Sequence, residues 1–173
     1  MSPSRWIASF ALLAAATIAR ADYQVTLSNV HLCCKGCIRD AKETADSVPG
    51  ASIDANKDAR TISITASNRA TAQKAVDALV DAGFFGTASD PAIHVTAPSG
   101  DDKTVTNLTV SGVHLCCKGC VSDLNKAVGK VKGVTGTTAE KDADSFQISG
   151  TFNEQEVIKA LHAAGFAAQI DKS

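Results

Sequence analysis

The sequence predicts an α+β fold made of two βαββαβ units in tandem. The eight residues VHLCCKGC occur at Val30–Cys37 and again, unchanged, at Val113–Cys120. The apolar residues around the two copies repeat at the same 83-residue offset. Each copy also passes through the same series of alternating and helical apolar patterns, which are typical of strands and helices. We therefore interpret the chain as two copies of one module.

The first half of each module predicts a strand and then a helix. Alternating apolar residues before the cysteines are typical of a half-buried strand. They are Val25 and Leu27 in the first copy and Leu108 and Val110 in the second. After the cysteines, apolar residues at steps of three, four and three lie on one helical face. They are Ile38, Ala41, Ala45 and Val48, and then Val121, Leu124, Val128 and Val131. Pro49-Gly50 and Gly133 are expected to end these helices.

The second half of each module predicts a strand pair, a helix and a final short strand. The alternating apolar residues of the strands are Ile62 and Ile64, and Phe146 and Ile148. The apolar residues of the helices are Val76, Leu79 and Val80, and Ile158 and Leu161. Thr71 and Asn153 are the predicted N-caps, and Gly83 and Gly165 the predicted left-handed C-caps. The resulting order is that of two ferredoxin-like sandwich domains in tandem.

A linker is predicted between the two domains, at residues 89–103. Its Pro, Gly, Ser and Asp content is typical of a solvated connection. The predicted domains are then residues 22–88 and 104–173. Ile93 and Val95 leave a second interpretation open, in which the first domain's sheet edge extends into this segment.

Residues 1–21 predict a secretory signal peptide. Arg5 supplies a positive charge, Trp6–Ile18 is almost wholly apolar, and Ala19-Arg20-Ala21 matches the small-x-small cleavage pattern. The apolar run is shorter than the roughly 20 residues that span a bilayer. We expect cleavage after Ala21, a periplasmic or secreted location, and no membrane insertion after cleavage. Because Arg20 is unusual beside a cleavage site, a retained N-terminal anchor is the alternative.

Charge and composition argue against nucleic-acid binding and hydrolytic chemistry. Without residues 1–21 the chain has 15 basic and 18 acidic residues, a net charge of −3. A nucleic-acid-binding domain would instead carry a basic face. No Ser/His/Asp set, phosphate-binding loop or paired-carboxylate signature stands out in the sequence. We therefore expect that the protein is not an enzyme.

The cysteines carry the chemistry that the sequence predicts. All six lie in motif 1 (Cys33–Cys37) and motif 2 (Cys116–Cys120). A CxxC between a strand and a helix turns both sulfurs towards one point, and the helix N-terminus favours thiolate. Lys35 and Lys118 either add positive charge there or only solubilise the loop. Thiolates bind soft ions, and two sulfurs suit linear Cu(I) or Hg(II).

The motifs resemble those of the heavy-metal-associated domain family, whose pattern is Gly-Met-x-Cys-x-x-Cys after the first strand. Here His31-Leu32 and His114-Leu115 replace Gly-Met. Phe84 and Phe166 match the aromatic residue that packs near the family's metal loop. The resemblance implies one soft metal ion per domain, with Cys34/Cys37 and Cys117/Cys120 as primary ligands. It also implies a metal transporter or a thiolate acceptor protein as partner. The family includes copper chaperones, metal-binding modules of P-type ATPases and the periplasmic mercury-binding protein; the predicted export resembles the last of these, which has one module rather than two.

The third thiol of each motif departs from the family pattern. Cys33 and Cys116 either complete a trigonal site for Cu(I), Cd(II) or Hg(II), or pack at the loop's edge. A vicinal Cys pair occurs in some zinc-transporting members, so Zn(II) and Cd(II) also stay open. His31 and His114 either supply a nitrogen ligand or are exposed or backbone-bonded. His94 and His162 are expected to be structural or solvated.

The sequence thus predicts an exported soft-metal carrier or buffer. Three alternatives remain: a structural disulfide in each CxxC, a thiol–disulfide oxidoreductase, and an interaction module that docks on a metal transporter. Against an oxidoreductase, the order of elements is not that of thioredoxin. Against a structural disulfide, a bridge across four residues closes too short a loop to stabilise a domain much.

Overall fold

The computed structural model describes residues 22–171, so the predicted signal peptide lies outside the described residues. The first unit contains two helices and four strands. They are β1 (Tyr23–Ser28), α1 (Lys35–Asp46), β2 (Ala51–Asn56), β3 (Thr61–Ala66), α2 (Arg69–Asp81) and β4 (Thr87–Ala88). Its sheet has the order β2-β3-β1-β4, and all three strand pairs are antiparallel.

The second unit repeats the same architecture. Its elements are β5 (Thr104–Ser111), α3 (Lys118–Val128), β6 (Val134–Thr137), β7 (Ser145–Asn153), α4 (Glu154–Ala164) and β8 (Gln169–Ile170). The sheet order is β6-β7-β5-β8, again with antiparallel pairs. The predicted α+β fold of two tandem ferredoxin-like units is confirmed. Within residues 22–171, none of the helices has the length and apolar character of a membrane span.

The core of each unit lies between its sheet and its helices, as the sequence patterns require. Val25, Leu27, Ile62 and Ile64 are at most 2 % exposed on the inner face of the first sheet. The equivalent strand positions of the second unit are also buried. The buried residues of the two units form one continuous apolar cluster, so the two cores touch.

The helix ends differ in part from the prediction. Asn68 is the N-cap of α2, and Thr71 donates its backbone N–H to the Asn68 side chain at 2.9 Å. The prediction of Thr71 as the N-cap was therefore wrong. Asn68 has the extended backbone that a cap needs, and it lies three residues before Thr71. Asn153 caps α4 as predicted. Gly83 and Gly165 have the left-handed backbone expected after α2 and α4, with φ of 90° and 91°.

The segment of residues 89–103 contains neither a helix nor a strand, and it lies against both units. Ile93 is buried in the core at 4 % exposure. Gln73 of α2 exchanges two hydrogen bonds with the His94 backbone. The Asp101 backbone N–H donates to the Glu154 side chain at the start of α4. Ile93 and Val95 therefore do not extend the sheet edge, and the linker is held more tightly than its composition suggests.

Candidate metal centre

Each cysteine motif lies where a first strand passes into a helix. Cys34 and Cys117 are the N-cap residues of α1 and α3, with extended backbones and φ of −151° and −153°. Neither side chain makes a capping hydrogen bond, so both sulfurs are available for other partners. Cys37 and Cys120 follow in the first helical turn, as predicted, and are 0 % exposed.

The structure brings motif 1 and motif 2 face to face. The six Sγ atoms form one group, which we call the thiol cluster, and all six cysteines are free. Within the motifs, the sulfur–sulfur distances are 3.8 Å for Cys33–Cys37 and Cys34–Cys37, 3.8 Å for Cys116–Cys120 and 3.6 Å for Cys117–Cys120. Between the motifs, they are 3.2 Å for Cys33–Cys117, 3.3 Å for Cys33–Cys120, 3.8 Å for Cys34–Cys116, 3.5 Å for Cys37–Cys116 and 3.9 Å for Cys37–Cys120.

All six predicted site residues therefore meet in one place. The two loops face each other, because the units dock with their motif ends together. Two of the six sulfurs are buried and the other four are half-buried. Lys35 and Lys118 are exposed on the first turns of the helices.

The thiol cluster carries an uneven charge. The Cys120 thiol donates a hydrogen bond that lowers the pKa of Cys37, and the nearby His114 ring acts in the same direction. The same bond raises the pKa of Cys120. The shared hydrogen bond thus favours a thiolate at Cys37 and a protonated thiol at Cys120. Burial is the main cause of the raised pKa of Cys33 and of Cys116.

The motif histidines are placed by phenylalanines of the opposite unit. His31 stacks on Phe166 with ring centroids 4.1 Å apart, and His114 stacks on Phe84 at 4.4 Å. His31 is only 7 % exposed, so an exposed position for it was wrong. Burial lowers the pKa of His31, which favours the neutral ring that a metal ligand needs.

Both histidine rings keep a nitrogen available near the sulfurs. Among the described residues, Nε2 of His31 and of His114 is buried without a hydrogen-bond partner. A ring nitrogen of His31 lies within 4.8 Å of the Cys33 and Cys120 sulfurs. His114 Nε2 lies 3.5 Å from the Asp40 carboxylate. Asp40 was not predicted as a site residue, since it is one of many acids on exposed helix faces.

Two glycines allow the units to approach this closely. A Cβ on Gly83 would lie 2.3 Å from the backbone nitrogen of His114, and one on Gly165 would lie 2.4 Å from that of His31. The His31 backbone N–H donates to the Gly165 carbonyl at 3.1 Å. The sequence identified both glycines as helix caps only. Their second role depends on a contact between units that no local pattern encodes.

The remaining histidines are structural or solvated, as expected. His162 stacks almost parallel on Phe85, with ring centroids 4.0 Å apart. Burial lowers the pKa of His162. His94 is exposed and contributes its backbone to the contact with Gln73. Neither residue reaches the thiol cluster.

Comparisons with known proteins support the family that the motifs resemble. A comparison with models of known protein families finds no match. The chain is 32 % identical over 57 residues to heavy metal-associated isoprenylated plant protein 44 of Arabidopsis thaliana. It is 29 % identical over 68 residues to plant protein 3 of the same series and organism. These relatives support a heavy-metal-associated-like family.

The matched segments cover 33 % and 37 % of the length of this chain. They span only 31 % and 24 % of the two plant relatives. Among solved structures, oxidized MerP from Ralstonia metallidurans is 24 % identical, with a TM-score of 0.34; the match covers 40 % of this chain and 100 % of MerP. The N-terminal soluble domains of Bacillus subtilis CopA are 13 % identical, with a TM-score of 0.29; that match covers 88 % of this chain and 95 % of theirs.

Cys117 should be the thiol most readily alkylated near neutral pH in the metal-free protein. Burial acts to raise its pKa, but backbone N–H groups of the first turn and the Cys33 thiol lower it to about 7. Below pH 7 Cys117 gains a proton and the reaction should slow. Above pH 7 the rate should level off, since the thiolate is already formed. Cys37 also has a lowered pKa, but its burial blocks the reagent.

Mass spectrometry of tryptic peptides after brief iodoacetamide treatment at several pH values measures the relative alkylation rates of the cysteines. Cys117→Ser is the control, because it removes the early label and leaves the rest of motif 2 in place. A Cys117 labelling rate that keeps rising about tenfold per unit up to pH 8.5 would mean an ordinary thiol pKa.

Proposed function

We propose that the chain is an exported carrier or buffer for a soft metal ion and has no turnover of its own. The observation that carries this proposal is the convergence of six free thiols on one point. Cys34, Cys37, Cys117 and Cys120 are the proposed primary ligands, with Cys33 and Cys116 as additional ones. Export is proposed from the sequence pattern of residues 1–21.

The donor set fits a soft ion. Thiolates favour Cu(I), Hg(II), Zn(II) and Cd(II) over hard cations. Metal–sulfur bonds of about 2.3 Å place sulfurs around one ion roughly 3.8–4.0 Å apart. The closest contacts of the thiol cluster lie between 3.2 and 3.9 Å, so small shifts of the loops are enough to seat an ion. The natural cargo depends on which of these ions the cell delivers and on the coordination number that the motifs impose.

An acceptor reaches the thiol cluster through two open clefts. One, of about 370 Å³, reaches Cys33 and is lined by basic residues. They are Lys57, Arg60, Lys126 and Lys130. The other, of about 320 Å³, reaches Cys116 and is lined by acidic residues. They are Asp40, Asp81, Asp142 and Asp144. Ligand exchange with a thiolate acceptor or a metal transporter would therefore begin at a half-buried sulfur, and salt should alter its rate.

Metal transfer tests the carrier role. Cu(I)-loaded protein should pass its ion to a second thiolate protein faster than it loses the ion to a weak small-molecule chelator. The physical reason is that an incoming thiolate can bind before the outgoing one leaves. Stopped-flow absorbance of the metal–thiolate band measures both rates. Equal rates would indicate sequestration without transfer, and no metal binding at all would overturn the proposal.

Thiol–disulfide exchange is the second candidate function. The lowered pKa of Cys117 favours it, as does the 3.2 Å separation of Cys117 and Cys33. In such a reaction the Cys117 thiolate would attack a partner disulfide, and a neighbouring thiol would resolve the mixed disulfide. Insulin reduction by the metal-free protein tests this function. Activity no greater than that of the Cys117→Ser variant would exclude it.

A further inference from the structure

We propose that the third thiol of each motif is a metal ligand for the other module. Cys33 completes the site of Cys117 and Cys120, and Cys116 completes the site of Cys34 and Cys37. The inference rests on the proposed soft-metal binding and adds the identity of each site's third sulfur. A bound ion would then join the two units.

The distances around Cys33 carry the inference. Its sulfur lies 3.2 Å from Cys117 and 3.3 Å from Cys120. The distance to Cys37 of its own motif is longer, at 3.8 Å. Cys117 and Cys120 are themselves 3.6 Å apart. These three sulfurs form a nearly equilateral triangle, the arrangement of a trigonal thiolate site.

Cys116 repeats the arrangement on the other side. Its sulfur lies 3.5 Å from Cys37 and 3.8 Å from Cys34. Cys34 and Cys37 are 3.8 Å apart, so this triangle is slightly larger. Cys120 of its own motif is also 3.8 Å away. The shortest sulfur contact of Cys116 therefore crosses between the modules, as both shortest contacts of Cys33 do.

The docking of the units holds this pairing in place. Each motif histidine stacks on a phenylalanine of the opposite unit. The Ala167 backbone N–H donates to the Gly83 carbonyl at 3.0 Å, and the Phe85 N–H donates to the Gly165 carbonyl at 3.1 Å. These bonds join the loop after α2 of the first unit directly to the loop after α4 of the second. Cys33 and Cys116 reach across from a position that these contacts define, so seating an ion needs only small shifts of the loops.

Cd(II) binding to the full chain tests the pairing, because Cd(II) accepts three or four thiolates. In a Cys34→Ala/Cys37→Ala background, adding Cys33→Ala should weaken Cd(II) binding about tenfold or more. Adding Cys116→Ala to the same background should weaken it by less than about threefold. Competition with a chelator measures the affinities, and X-ray absorption counts the sulfurs. Circular dichroism checks that each variant is folded.

The mirror background, Cys117→Ala/Cys120→Ala, provides an independent test with different variants. In that background Cys116→Ala should cause the large loss of Cd(II) affinity, and Cys33→Ala should cause the small one. The pairing would be overturned if, in either background, Cys33→Ala and Cys116→Ala weakened Cd(II) binding equally. It would also be overturned if the larger loss of affinity came from the third thiol that belongs to the motif whose CxxC is intact. If the wild type bound no Cd(II), the proposed function would fail instead, so the two failures are distinguishable.

Discussion

Replacing Phe84 by alanine should lower the free energy of unfolding by about 3–5 kcal/mol and should also weaken metal binding. Phe84 is 1 % exposed, so the deletion leaves a cavity in the core. Its ring also stacks on His114, which precedes motif 2. Removing it frees that histidine and loosens the contact between the units. Both proposed sites would bind metal more weakly, because each takes one sulfur from the opposite module.

Phe152→Ala is the matched control for this deletion. Phe152 is 2 % exposed in β7, and it makes neither of the stacking contacts that hold His31 and His114. The Phe152→Ala variant should lose a similar free energy of unfolding, and its affinity for Cd(II) should be almost unchanged. Urea denaturation and chelator competition give the two quantities. If both variants kept normal affinity, the stack of Phe84 on His114 would have no part in the site.

Replacing Gly83 and Gly165 together by alanine should separate the two units. Each new Cβ would lie within 2.4 Å of a backbone nitrogen of the opposite unit, far inside any real contact. Each residue would also keep a left-handed backbone, which costs an L-residue about 1–2 kcal/mol. The chain can relieve the overlap by moving the units apart. We therefore expect a larger radius of gyration and a loss of the contacts between motif 1 and motif 2.

Small-angle scattering of the metal-free protein measures the separation, and Cd(II) titration measures its effect on the sites. Gly136→Ala is the control, since a Cβ at Gly136 would meet nothing within 4 Å. An unchanged radius of gyration in the double variant, with normal Cd(II) affinity, would contradict the role given to the two glycines. Loss of secondary structure would show instead that the units depend on each other to fold.

Local patterns in the sequence were enough to predict each unit. Alternating residues such as Val25 and Leu27 lie on the buried face of a strand, because side chains of a strand point to opposite faces in turn. Cys37 and Cys120 lie in the first turn of a helix, as the CxxC spacing before an apolar helical stripe predicts. The exact cap at Asn68 was missed because Thr71 is an equally acceptable cap by residue type.

The meeting of the two motifs required the tertiary structure. The copies have the same pattern, so a periodicity argument pairs Phe84 with His31 of its own unit as readily as with His114 of the other. The choice depends on how two folded surfaces fit, with Gly83 against the His114 backbone. Contacts so far apart in sequence leave no mark on local spacing. The repeated cysteines therefore established a thiolate chemistry and its place on each helix, while the packing of one unit against the other brought all six sulfurs into a single cluster.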